Sequence, residues 1–262
     1  MGRIHAAAAV GFERSADRYE RGRPSYPADA VSTLVDALEI GPERQVLDLG
    51  AGTGKLTRLL VPTGARIIAV EPVPAMRAAL ERTCPDVTVL DGTAEAIPVR
   101  DRSIDAVVVA QAFHWFDADA ALREIARVLR DRGALGLIWN VRDETPSWSR
   151  RLTEMFDRLS GPDAPRYKHG QWRAAFDRTD AFGLLHHRST RSVHEVPPEG
   201  FLDRVLSVSY VASAPDAERT AVEAEVRDLL AHDPDLAGRS TIGMPYVTDV
   251  FWCERSASAT IT

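Results

Sequence analysis

The sequence predicts an α/β fold with a doubly wound, seven-stranded sheet, an N-terminal helical lid and helical cap insertions. Two observations predict it: apolar strand segments alternate with helical patterns between residues 45 and 139, and a glycine-rich turn follows the first segment. Strands that alternate with helices in this way are joined by right-handed crossovers and lie parallel in one sheet. We therefore expect a ligand at the carboxyl ends of these strands.

Five segments have the apolar character of strands that are buried on both faces of a parallel sheet. They span residues 45–49, 66–70, 87–90, 104–110 and 134–139. Between the last two, Asp117 is placed to cap a helix and Gly133 to end it. Before the first strand, the spacing of apolar residues predicts helices over residues 12–20 and 29–40.

The alternation of strands and helices ends near residue 141, where a helical and aromatic segment begins. The later elements are a helical cap at 146–180, strands at 182–195 and 241–253, and helices at 198–209 and 214–232. Three parts result from this pattern. They are the lid, residues 1–43; the α/β core, residues 44–140; and the cap insertions with the strands that complete the sheet, residues 141–262.

The composition is that of an ordinary globular protein, with 45% hydrophobic and 27% charged residues in a chain of 262. The formal charge of −6 gives no attraction for a polyanion, so we expect no nucleic-acid partner. Cys84 and Cys253 belong to no C-x-x-C pattern, and we expect no metal site. The apolar run at residues 6–10 is too short for a signal segment or a membrane span, which predicts a cytoplasmic location without membrane association.

The turn after the first strand contains Gly50, Gly52 and Gly54 and carries Asp48 just before it. Such a turn brings backbone N–H groups and a helix N-terminus to the ligand-binding edge of the sheet. A dinucleotide fingerprint would have its third glycine at position 55, which is Lys55 here. Asp48 would repel a pyrophosphate but attract a cationic amino-acid group, directly or through the N–H groups that it orders. An NAD(P)-dependent oxidoreductase with the same sheet topology is kept as an alternative function, although this glycine spacing argues against it.

Glu71 stands at the end of the second strand. Its two carboxylate oxygens can accept hydrogen bonds from both hydroxyls of a ribose, which indicates a nucleoside ligand. The alternative is a solvated carboxylate at the end of a strand.

Four motifs in order resemble those of class I S-adenosylmethionine-dependent methyltransferases. They lie at residues 46–57, 70–72, 91–98 and 103–105. The resemblance implies a Rossmann-like fold, S-adenosyl-L-methionine as cofactor and S-adenosyl-L-homocysteine as product. It also implies cofactor-contacting residues: Asp48, Gly50, Ala51 and Gly52 in the turn, Glu71 and Pro72 at the ribose, Thr93 and Ala94 at the adenine edge, and Gln111 near the methionine end.

Two further segments, residues 12–27 and 109–116, are similar to a small-molecule subfamily that includes trans-aconitate methyltransferase-like proteins. In that subfamily the N-terminal segment folds over the cofactor. The resemblance therefore implies that Tyr19 and Arg23 contact the carboxylate end of the cofactor. The alternative for Arg23 is a surface charge beside Pro24.

Methyl transfer from a sulfonium depends mainly on alignment and exclusion of water, and needs a general base only when the acceptor is protonated. His114, after the fourth strand, is the candidate base, and Tyr26 is placed to orient the acceptor. The alternatives are a packed structural histidine and a tyrosine that anchors a turn.

Trp115, Phe116 and Tyr210 are candidates for the walls of the acceptor pocket, although Trp115 and Phe116 would equally suit the core beneath the cap. We expect a small organic acceptor, flat or apolar, that is methylated on O, N or C by a monomer or homodimer. A protein that binds the cofactor without catalysis is the remaining alternative.

Overall fold

The computed structural model describes residues 22–160, 167 and 170–257. The helix expected over residues 12–20, and with it Tyr19, lies outside the described residues. Within them, seven strands form one sheet. The strands are β1 (Gln45–Leu49), β2 (Arg66–Val70), β3 (Thr88–Leu90), β4 (Ile104–Ala110), β5 (Leu129–Arg142), β6 (His186–Val196) and β7 (Ile242–Glu254).

The sheet has the strand order β3-β2-β1-β4-β5-β7-β6. The first five strands are parallel, whereas β7 runs antiparallel to both β5 and β6. This confirms the doubly wound, seven-stranded fold. The carboxyl ends of β1, β2, β4 and β5 meet at one edge of the sheet, where a ligand is expected.

Eight α-helices accompany the sheet in the described part of the chain. They are α1 (Ala28–Ala37), α2 (Thr57–Leu60), α3 (Pro74–Thr83), α4 (Ala118–Val128), α5 (Ser147–Ser160), α6 (Pro198–Leu206), α7 (Ser209–Ser213) and α8 (Asp216–His232). Short 3-10 segments lie at Val61–Thr63, Phe113–Trp115 and Gln171–Arg178. As predicted, the Asp117 carboxylate caps α4 by accepting a hydrogen bond from the Ala120 N–H at 3.1 Å. No helix among the described residues is long and apolar enough to span a bilayer.

Alternate residues of β1 face two different core layers. Leu47 and Leu49 pack in the layer that contains α4, while Val46 packs in the layer that contains α1 and α2. A third apolar cluster joins α5, α6 and α8 to β7 and forms the cap. The cap therefore has a hydrophobic core of its own. It adjoins the carboxyl edge of the sheet at the place where β5 ends and β7 begins.

Several element boundaries differ from the prediction. β6 begins at His186 rather than at residue 182, because Phe182 makes only an isolated bridge with Arg255. β5 begins at Leu129 rather than at residue 134, because the backbone becomes extended directly after α4 and Leu129 pairs with Ile104. Gly133 lies inside the strand, where a Cβ would come within 2.9 Å of the Leu129 side chain. The helix expected over 198–209 is divided in two, because Val208 adopts an extended conformation between α6 and α7.

Candidate active site

The glycine turn after β1 depends on left-handed backbone conformations. Gly50, Gly52 and Gly54 have φ values of 69°, 58° and 82°, which L side chains rarely adopt. A Cβ at Gly50 would come within 2.9 Å of the Ala112 Cβ, so the turn also packs closely against the segment after β4. A Cβ at Gly52 would meet no atom of the described residues within 4 Å, so these residues leave space beside this face of the turn.

Asp48 is fully buried beneath the turn. Its Oδ2 accepts a hydrogen bond of 2.6 Å from the Thr57 hydroxyl at the start of α2, and its Oδ1 has no hydrogen-bond partner among the described residues. Burial and, to a smaller extent, the Glu71 charge raise the pKa of this carboxyl to about 7, against the opposing effect of the Thr57 hydrogen bond. Asp48 therefore joins the turn to the helix that follows it.

Glu71, at the end of β2, is also buried and lies against the same turn. Its Oε2 accepts from the Gly52 N–H and its Oε1 from the Val73 N–H, both at 2.9 Å. Burial raises the pKa of the carboxyl, in opposition to these two hydrogen bonds. Each oxygen of an ionised carboxylate has two lone pairs, so each keeps one for a ligand hydroxyl.

The segment after β3 extends the same edge of the sheet. Arg77 of α3 donates to the Glu71 carbonyl at 2.7 Å and to Asp91 at 2.9 Å, which ties this segment to Glu71. Ala94 is buried, and within the described part of the chain the buried Thr93 Oγ1 has no hydrogen-bond partner. The predicted adenine-contacting residues thus include an unsatisfied polar atom, as a site for a polar ligand would.

A cavity of about 40 Å³ lies over the glycine turn and is called the turn pocket here. It is lined by Arg23, Pro24, Tyr26, Gly50, Ala51, Gly52, Thr53, Lys55, Leu56, Ala110, Gln111, Asn140 and Arg204. The predicted residues Arg23, Gly50, Ala51, Gly52 and Gln111 therefore meet at one cavity. Tyr26, predicted to orient the acceptor, lines this same cavity.

A second cavity of about 210 Å³ lies under the cap and is called the aromatic pocket. It is lined by Arg23, Gln111, His114, Trp115, Trp139, Asn140, Val141, Arg142, Glu144, Thr153, Phe156, Tyr167, Arg204, Val208, Ser209 and Tyr210. Arg23, Gln111, Asn140 and Arg204 line both pockets. The two cavities therefore adjoin along a shared wall.

Gln111 stands in that wall in a strained conformation. Its φ of 58° is unusual for a residue other than glycine, and such strain is concentrated at functional sites. The conformation is held by the Gln111 N–H, which donates to the Ile138 carbonyl at 2.9 Å. The Gln111 side chain also donates to the Asn140 carbonyl at 3.3 Å.

His114 lines the aromatic pocket from the 3-10 segment after β4. Its Nδ1 accepts a hydrogen bond from the Trp139 indole N–H at 3.3 Å. Burial and, to a smaller extent, the Arg23 charge lower the pKa of the imidazole to about 3. The ring is therefore neutral, and its own proton lies on Nε2 because Nδ1 is the acceptor.

The predicted acceptor-binding aromatics are divided between two environments. Trp115 and Tyr210 line the aromatic pocket, with ring centroids 5.7 Å apart. Phe116 lines neither pocket and packs against Phe113 and beside Gly50. Phe116 therefore packs against the hydrophobic core rather than in the wall of a pocket.

Most of the residues that line the aromatic pocket were not among the predicted site residues; Trp139, Arg142, Tyr167 and Arg204 are four of them. Arg142 is the last residue of β5 and lies at the same edge of the sheet as Glu71, which follows β2. Its position at the end of a strand is the sequence feature that could have identified it as a site residue. Arg204 lies on the buried side of α6. A charged residue at an apolar position of a helical pattern is the feature that could have identified it from the sequence.

Metal-ligating side chains do not gather at this site. No group of three or more histidine, cysteine or acidic residues in the described chain could hold a metal ion. His186 stacks on Trp252, whereas the neighbouring His187 stacks on Phe251 and contacts Asp249 at 2.8 Å. The two histidines have different neighbours, as expected for adjacent residues of a strand.

Comparison with known proteins identifies the family. Residues 47–137 match the family described as "Methyltransferase domain". An uncharacterized methyltransferase of Mycobacterium tuberculosis is 42% identical over 240 residues, which are 92% of this chain and 93% of the relative. An uncharacterized methyltransferase-like protein of Schizosaccharomyces pombe is 34% identical over 93% of this chain and 95% of its own length.

The solved structures agree on the fold. The YcgJ protein of Bacillus subtilis superposes with a TM-score of 0.56 at 20% identity, over 87% of this chain and 99% of that one. The fold, the glycine turn and the long matches to named methyltransferases lead to the same assignment. The chain belongs to the class I S-adenosylmethionine-dependent methyltransferases.

Proposed function

We propose that the protein binds S-adenosylmethionine in the turn pocket and methylates a small organic molecule held in the aromatic pocket. The observation that carries this proposal is the shared wall of the two cavities, formed by Arg23, Gln111, Asn140 and Arg204. A methyl donor and its acceptor must be held side by side for transfer. The family matches favour this chemistry over the oxidoreductase and the non-catalytic alternatives.

The residues at the carboxyl edge of the sheet fit the cofactor. The open face of Gly52 leaves room for a ligand against the backbone, and Glu71 keeps lone pairs for ribose hydroxyls. The unpaired Thr93 Oγ1 suits a polar edge of the adenine. S-adenosylmethionine supplies a methyl group on a sulfonium, which is already a good leaving group.

The remaining residues align the acceptor and exclude water, which is most of what this reaction requires. Trp115, Phe156 and Tyr210 provide aromatic surface for a flat or apolar molecule. We assign His114 a hydrogen bond donated from Nε2–H to the acceptor, because Trp139 occupies Nδ1. A base role would need the opposite tautomer, in which two N–H groups would face each other.

A small-molecule acceptor, a cytoplasmic location and a monomeric or homodimeric state belong to the same proposal. The net charge of −6 supports an acceptor other than a nucleic acid. The volume of the aromatic pocket, about 210 Å³, supports a small acceptor.

Two measurements test the proposal. Calorimetric titration with S-adenosylhomocysteine should give saturable binding, and protein that binds neither this compound nor S-adenosylmethionine would refute it. Incubation with methyl-labelled S-adenosylmethionine and a fractionated metabolite extract should then label a low-molecular-weight product. Label found only in protein or nucleic acid would contradict the small-molecule acceptor.

A further inference from the structure

Asn140 connects the segment before α1, the end of β5 and the strand β7 at the wall between the two pockets. We propose that Asn140 is a positioning residue that holds residues 22–27, called the cover segment here, against the turn pocket, and that Thr248 sets the orientation of its carboxamide. The inference rests on the function proposed above and adds two residues on which retention of the cofactor depends.

The cover segment forms one wall of the turn pocket. Arg23, Pro24 and Tyr26 line this cavity, and Pro24 and Tyr26 are buried. The Arg23 Nη2 donates to the carbonyl of Ser207, directly after α6, at 3.3 Å. Ser25 lines neither the turn pocket nor the aromatic pocket, and its backbone carbonyl is the atom that Asn140 contacts. A ligand in the turn pocket would therefore be enclosed on one side by the cover segment.

Asn140 lies near the carboxyl end of β5 and lines both pockets. Its Nδ2 donates to the Ser25 carbonyl at 3.1 Å. Its own backbone carbonyl accepts from the Gln111 side chain at 3.3 Å. One residue of the shared wall therefore fixes both the cover segment and the side chain of Gln111, which lies in the same wall.

Thr248 orients the Asn140 carboxamide. The two residues are directly opposite each other in the antiparallel pair of β5 and β7, where side chains on one face are in contact. The Thr248 side chain is fully buried, and its hydroxyl donates to Asn140 Oδ1 at 2.6 Å. In the opposite orientation of the amide, Oδ1 would face the Ser25 carbonyl, and two acceptors repel each other. The two partners therefore specify one orientation, in which the NH₂ group points at the cover segment.

Thr248 offers a test that does not disturb the ligand-binding surfaces, because it lines neither pocket. Any effect of its hydroxyl on a ligand in the turn pocket must pass through Asn140. Valine keeps the shape of threonine and removes the hydroxyl, whereas serine keeps the hydroxyl and removes a buried methyl group. The two variants therefore separate the hydrogen bond from the packing.

The experiment measures S-adenosylhomocysteine affinity by calorimetry and stability by denaturant unfolding. We expect Thr248→Val to weaken binding about fivefold, as the loss of one hydrogen bond would. Thr248→Ser should bind as tightly as the wild type, although the loss of a buried methyl group lowers its free energy of unfolding. Affinity should thus follow the hydroxyl and not the stability.

Two further variants complete the test. Asn140→Leu removes both side-chain hydrogen bonds with a side chain of similar size, and should weaken binding about tenfold, mainly through faster dissociation in surface plasmon resonance. Ser149→Ala is the matched control. It removes another fully buried hydroxyl, which donates to the Asp143 carbonyl at 2.7 Å, and Ser149 lines neither pocket. This variant should keep the wild-type affinity.

Wild-type affinity in Thr248→Val, or in Asn140→Leu if the valine variant does not fold, would overturn the proposal. Equal losses of affinity in Thr248→Val and Thr248→Ser would also overturn it, because affinity would then follow packing rather than the hydrogen bond. Failure of the wild-type protein to bind S-adenosylhomocysteine would instead refute the underlying function.

Discussion

The indole N–H of Trp139 donates a hydrogen bond to Nδ1 of His114 across 3.3 Å. Trp139 lies inside β5 and packs against Tyr167 and Trp172, so the donor is held by the sheet and by the cap. The hydrogen bond fixes both the ring orientation and the tautomer of the histidine. The neutral His114 therefore presents Nε2–H, a donor, to the aromatic pocket.

The protonation state of His114 provides the first prediction. Because burial lowers its pKa to about 3, we expect the ring to stay neutral, with Nδ1 unprotonated, as the pH falls from 8 to 5. Imidazole ¹⁵N NMR measures this directly. In Trp139→Phe, both neutral tautomers should appear. Protonation of His114 near pH 6.5 in the wild-type protein would contradict the assignment.

Glu71→Gln should weaken S-adenosylhomocysteine binding about tenfold, which corresponds to about 1.4 kcal/mol. The amide keeps one acceptor but directs an NH₂ group at either the Gly52 or the Val73 N–H. Calorimetry measures the affinity, and Glu81→Gln on the exposed face of α3 is the matched control. Equal affinity in the Glu71 variant and the wild type would exclude the ribose role.

Gly52→Ala and Gly238→Ala form a matched pair. Both glycines have positive φ values, 58° and 72°, and a Cβ at either would meet nothing within 4 Å. Each substitution should lower the free energy of unfolding by about 1–2 kcal/mol through backbone strain. Only Gly52→Ala should also weaken cofactor binding, because its methyl group enters the turn pocket. Similar losses of affinity in both variants would point to a general effect on the fold.

Asp48→Asn tests the electrostatics of the turn. The pKa of Asp48 is raised to about 7 in the folded protein, against an ordinary value of 3.8. A raised pKa means that the folded state holds the proton more tightly, so this contribution to stability is complete below pH 3.8 and declines as the pH rises toward 7. The decline is up to about 1.4 kcal/mol per pH unit.

The asparagine variant removes that titration. Denaturant unfolding of both proteins at pH 5 and pH 8 should therefore show the variant gaining stability relative to the wild type at the higher pH. Other titratable groups, such as His114, are present in both proteins. Their contribution to the pH dependence therefore cancels when the two free energies of unfolding are subtracted. A difference that is the same at the two pH values would mean that Asp48 is ionised throughout.

The turn pocket, which we propose as the cofactor site, was predictable because its signals are local. Buried parallel strands are nearly all apolar, so Asp48 within β1 and Glu71 at the end of β2 stand out in the sequence. The positive φ values of Gly50 and Gly52 require glycine, which makes the turn visible as a spacing of residues. These features were sufficient for the fold and for the position of the turn pocket.

The acceptor half was less predictable because it is assembled from distant segments. Arg142 and Arg204 are 62 positions apart and meet only after β7 has joined the cap to the sheet. The sequence leaves both Trp115 and Phe116 equally suited to a pocket wall or to the core, yet in the structure Phe116 packs against Phe113 whereas Trp115 lines the aromatic pocket. The direction of a side chain after a 3-10 turn depends on tertiary packing, which the spacing of apolar residues in the sequence does not predict.

β7 is the seventh strand along the chain, yet it lies between β5 and β6. Until residues 242–254 have been synthesised, β5 presents an unpaired edge and β6 has no neighbour in the sheet. Exposed strand edges pair readily with other chains, so the nascent protein is vulnerable to aggregation until a late stage of translation. The same strand joins β6 to the sheet and contributes to the core of the cap, so we expect a chain shortened within it to lose the aromatic pocket.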